Sequence, residues 1–135
     1  MIGLSLEQRR RLVAPLEAYT AELSAVMAER RTILAALQAV AVPESLTELR
    51  SLMAEWVSAN ETTSELTANM AREHEACTRF LAECLGAVFT VRQKAAAMVT
   101  AFPAFPDVYA LVSAACAELR PGAPLPAAAL GSAHK

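Results

Sequence analysis

His74, Cys77 and Cys84 are the residues whose types and spacing come nearest to chemistry. On a helix, steps of three and seven place them along one stripe. Imidazole and thiolate both bind metals, so the stripe could contribute metal or haem ligands. One helix cannot close a tetrahedral site, however, and Cys77 and Cys84 would stand about 10 Å apart along its axis. That separation also rules out a disulfide between them. The plainer expectation is two small core residues with His74 at the edge of the face. The carboxylates fare no better. Glu7, Glu73, Glu75 and Glu83 read as helix-surface residues, and the paired Glu-x-x-His motifs of a di-iron bundle are missing. Asp107 is the one aspartate and follows Pro106, a helix-capping position. With one aspartate, a second histidine only at His134 and no glycine-rich phosphate loop, the sequence predicts no enzyme, no metal and no cofactor.

The elements that would position these residues are all helical. The chain has 135 residues, the size of one domain, with 55 % hydrophobic residues, 5 % aromatics and four glycines. A net charge of −2 argues against a sequence-independent hold on nucleic acid. Arg9, Arg10 and Arg11 form one basic run, read as a solvated helix turn. An odd cysteine count and no cationic-then-apolar leader predict reduced thiols in an intracellular protein, nuclear or cytoplasmic. No apolar run is long enough to span a membrane.

Ser5 and Gln8 have capping-box spacing, so a first helix is expected from there. Leu12, Leu16, Tyr19, Leu23, Val26, Ile33, Leu37 and Val40 then follow a 3.5-residue repeat, with Arg30 at the one skipped position. This is a coiled-coil-like seam, and residues 12–40 are expected to join two copies as a homodimer. Arg30 could snorkel, pair with a glutamate or fix register. Pro15 predicts either a kink or a new helix beginning there. Residues 41–43 end the element, and Ser45 with Glu48 repeat the cap. The next face is Leu46, Leu49, Met53, Trp56 and Val57, with Trp56 expected in the core rather than at a contact surface. The polar run 58–64 is either a solvated stretch of one long helix or a short break, and a break is the expectation. A face of Leu66, Met70, Cys77, Leu81, Cys84, Leu85 and Val88 follows, flanked by Phe80 and Phe89. Gly86 permits close packing or marks a weak point.

Thr90 and Gln93 form a third capping box, opening a helix that Pro103 stops. Pro106 starts the last helix, with Val108, Leu111, Val112, Ala115 and Leu119 on its apolar face. Phe102, Phe105 and Tyr109 at this corner are either an exposed patch or a lid on the bundle end. The expected fold is all-α: a four- to five-helix antiparallel bundle over 5–120, with a long N-terminal helix, a C-terminal helical hairpin and an Ala/Pro-rich disordered tail, 121–135.

The stretches 73–81, 88–97 and 102–107, with Leu4–Gln8 and Ala28–Arg31, resemble the region C-terminal to the zipper in green-algal bZIP-type transcription factors. They are distantly similar to the TGA-type bZIP and seed-dormancy domain of land plants. The resemblance implies an accessory domain for association and transcriptional regulation. It implies no direct DNA contact, because no basic region precedes the seam. The land-plant domain's haem binding through histidine would fall on His74, the alternative function being a monomeric bundle that holds haem or an apolar ligand. The interaction residues predicted are Leu16, Tyr19, Leu23, Val26, Arg30, Ile33, Leu37, Phe102, Phe105 and Tyr109.

Overall fold

The computed structural model describes residues 3–39 and 49–119, and they are all-α. The expected cap at Ser45, Leu46 of the second face, Val40 of the seam and the tail 121–135 lie outside the described residues. Helix α1 runs Leu6–Gln38 and α2 runs Leu49–Leu81. A π-helical stretch, Ala82–Val88, continues α2, and α3 (Val91–Ala101) and α4 (Val108–Ala117) complete the order.

The local start signals act as their spacing predicts. Ser5 caps α1 and Thr90 caps α3, each in a reciprocal box with Gln8 or Gln93. Asp107 caps α4 by accepting from the Ala110 amide at 2.9 Å. Pro106 therefore sits just before the cap rather than inside the helix. Phe102 leaves α3 in an extended conformation, as a residue before proline must, and the Phe102–Pro103 bond is cis.

Of the two readings of Pro15, the new helix start is ruled out: α1 passes through it as one element, at the loss of one backbone bond. One expectation needs correction. Helix α2 shows no break at 58–64. There the hydroxyls of Thr62, Thr63, Ser64 and Thr67 donate to the carbonyls four residues back at 2.7–3.0 Å, so the polar run is satisfied within the helix.

Helices α1 and α2 pack side by side as an antiparallel hairpin. The ion pairs Glu22–Arg79 and Glu29–Arg72 step seven residues up one helix and seven down the other. Every described seam residue of α1, Leu12 through Leu37 with Arg30 among them, is buried or half-buried. The surface that covers it belongs to the same chain. A second copy laid along 12–40 would have to displace α2.

The matching seam on α2 is Leu52, Glu55, Ala59, Thr62, Leu66, Asn69, Glu73, Ala76 and Phe80, in unbroken steps of three and four. The expected α2 face is rotated from this one. Met70, Met53, Trp56 and Val57 are exposed, Trp56 by 71 %, so Trp56 is not a core residue. The main core gathers at one end of the hairpin. Leu12, Phe80, Cys84, Val88, Phe89, Val108, Val112 and Ala115 bury each other there, under Leu16, Tyr19 and Leu111. Gly86 faces open space in the π-helical stretch, so close packing is not its role.

Candidate functional site

Helix α3 presents two faces of opposite character. One turns inward. Ala97 is buried, and Ala96, Thr100 and Ala101 join it to wall a groove of about 430 Å³ against Leu111 and Ala114 of α4. Arg9 and Glu118, an ion pair, stand at its rim.

The other face turns to solvent and is apolar. Val91, Ala95, Met98 and Phe102 are spaced four, three and four, one stripe of the helix, and Val99 lies beside it. Val91 is 81 % exposed, Val99 78 % and Phe102 82 %. Phe105, past the corner, is also exposed. By helical angle, Arg92 and Lys94 flank the stripe on its two sides. Both sit in the first turn of α3, where the helix dipole disfavours cations, and the last turn carries none.

A polar clasp fixes α3 to α1. The Gln8 Nε2 donates to Gln93 Oε1 at 2.9 Å and to the Val88 carbonyl at 2.9 Å. Gln93 Nε2 returns the bond to Gln8 Oε1 at 3.1 Å and reaches the Gly3 carbonyl at 2.7 Å. Each glutamine oxygen also accepts its own N-cap amide, so two capping boxes close into one network. Arg11 adds a bond to the Ala87 carbonyl at 3.0 Å.

The Phe102, Phe105 and Tyr109 group divides. Phe102 and Phe105 are exposed. Tyr109 packs edge-on to Tyr19 at 5.9 Å, while Tyr19 stacks on Phe80 at 4.6 Å. Burial raises the Tyr19 phenol pKa, with the Cys77 thiol beside it adding to the effect.

Arg30 takes the pairing role. Its Nε donates to Asn69 Oδ1 at 2.9 Å, and its guanidinium pairs with Glu73. Asn69 is fully buried and donates to the Val26 carbonyl at 3.0 Å and to Glu29 at 2.8 Å. Leu16, Leu23, Val26, Ile33 and Leu37 line the hairpin interior with it.

His74 is exposed on α2 and lines neither the α3–α4 groove nor a second one, of about 320 Å³, between α1 and α4. Cys84 is buried, Cys77 and Cys116 half-buried, and all three are free thiols. Burial pushes the Cys84 thiol up to about 11 and raises Cys116 as well. Among the described residues no group of three His, Cys, Asp or Glu side chains could hold a metal ion.

Sequence reasoning missed Asn69, the Gln8–Gln93 clasp and the Val91–Met98–Val99 face. The 3.5-residue repeat run backward from Phe80 would have found Asn69. A helical wheel of 91–102 would have found the apolar face. Nothing in the sequence pairs two distant glutamines. Comparison with protein-family models, curated proteins and solved structures gives no match.

Proposed function

We propose that this chain is a non-enzymatic helical protein-interaction module. The α1–α2 hairpin is its scaffold and the outward face of α3 its working surface. The observation that carries this is the exposure of Val91, Val99 and Phe102 on a helix whose opposite face buries Ala97 and borders the groove against α4. A short helix with an unpartnered apolar stripe, rimmed by cations and ending in two exposed phenylalanines, has the makeup of a contact surface. The ionic side chains at the hairpin interface are engaged in holding helices together, which leaves them no evident catalytic task.

The resemblance to the post-zipper region of algal bZIP proteins supports placing the module in transcriptional regulation, inside the cell and without its own DNA contact. Among the described residues no helix is long and apolar enough to cross a membrane. His74 as a haem ligand finds less support, since it is one exposed imidazole and lines neither of the two grooves described.

The test is a tethered reporter. The full chain, fused to an unrelated DNA-binding domain, changes transcription from a reporter, and Val99→Glu with Phe102→Glu abolishes the change at equal protein level. A parent chain that leaves the reporter at the level of the bare DNA-binding domain counts against a transcriptional role.

A further inference from the structure

Resting on the interaction-module function above, we propose that the outward face of α3 docks a second copy of this chain, the two α3 helices antiparallel about a twofold axis. The spacing of the stripe carries the idea. Steps of four, three and four read the same in both directions. Two such helices laid antiparallel therefore meet position for position. Val91 faces the partner's Phe102, and Ala95 faces the partner's Met98. Each large side chain meets a smaller one, which is how facing layers interdigitate. A twofold contact of this kind uses the same patch on both copies.

Charge placement agrees. The Arg92 and Lys94 cations sit at the end of α3 where their own helix disfavours them. Antiparallel pairing brings them beside the C-terminal end of the partner's α3, where the carbonyl ends carry partial negative charge.

Val91, Met98, Val99, Phe102 and Phe105 leave five large apolar side chains per copy exposed and available to a contact, where a standard stable interface buries about 800 Å² of each partner. Two phenylalanines give the aromatic anchors that such interfaces concentrate their affinity in.

Light scattering after size exclusion, on the full chain from about 5 to about 200 µM, tests this. The expected mass rises to twice the 14.4 kDa of one chain. Met98→Glu and Phe102→Glu each hold it at one chain with unchanged helical circular dichroism, and Trp56→Glu, on the other exposed patch, leaves the dimer intact. Oxidation of a Val91→Cys chain mixed with a Phe102→Cys chain yields the mixed cross-link. A monomer at every concentration, a dimer that survives both glutamates, or Val91→Cys cross-linking to itself in preference overturns the proposal. Sedimentation of a monomeric chain with anionic phospholipid vesicles overturns it too, and assigns the face to a lipid surface. A monomer whose reporter effect still depends on Phe102 removes the second copy and leaves the module standing.

Discussion

Asn69 concentrates more of the structure than any other polar side chain. It is 0 % exposed and bonds a backbone carbonyl, a carboxylate and a guanidinium of α1. A buried amide of this kind selects one register, because any slip strands its donors in an apolar layer. Asn69→Ala should cost about 1–3 kcal/mol in urea unfolding, with the denaturant dependence unchanged. A loss under about 0.5 kcal/mol would show that the amide is replaceable. Glu29 follows from the same cluster. The Asn69 hydrogen bond, and then Arg72, hold its carboxyl below its ordinary 4.5. A lowered folded pKa stabilises above the unfolded value and ceases to as pH falls through the folded one. The stability gap between the parent and Glu29→Gln should therefore shrink between pH 7 and about pH 3, and a constant gap would contradict the assignment. Cys84 behaves oppositely in sign. Its neutral thiol is favoured, so at pH 8 a disulfide reagent should label it at least about 100-fold more slowly than an ordinary exposed thiol. Prompt labelling in the folded chain would mean that the core end is open.

At the scale of elements, the caps were the most legible features, since Ser5 with Gln8 and Thr90 with Gln93 act over three residues and need no tertiary context. What spacing could not supply was their meeting across 85 residues. In a double-mutant cycle, Gln8→Ala and Gln93→Ala should each cost about 1 kcal/mol and couple by more than about 0.5 kcal/mol. Strict additivity would mean that each box works alone. Helix α2 was misread for a physical reason. Its seam places Glu55, Thr62, Asn69 and Glu73 where a scan for apolar residues expects Leu, so the scan settles on a rotated face through Met70. The polar run at 58–64 looked like a break for the same cause. Packing along α1 supplies the helical context that the local sequence lacks.

The whole molecule divides its labour by length. Two helices of 33 residues each make the frame, and two of 11 and 10 residues hang from one end of it. The repeat in α1 was visible in the sequence as a seam, but a seam does not say whose helix fills it. Here the same chain does, and the surface we propose for contact is therefore the short helix that the frame holds out rather than 12–40. Phe102 and Phe105 were legible as patch candidates from the proline corner, while Val91, Met98 and Val99 were hidden in an alanine-rich run.

The central claim is that α3 works and the hairpin holds. Its most direct measurement is the tethered-reporter output of Phe102→Glu against that of Trp56→Glu. Both substitutions place a charge on an exposed apolar side chain, one on α3's stripe and one on the hairpin. Output lost with Phe102→Glu and kept with Trp56→Glu is the predicted result. Loss with Trp56→Glu and full output with Phe102→Glu would contradict the claim and place the working surface on the hairpin itself.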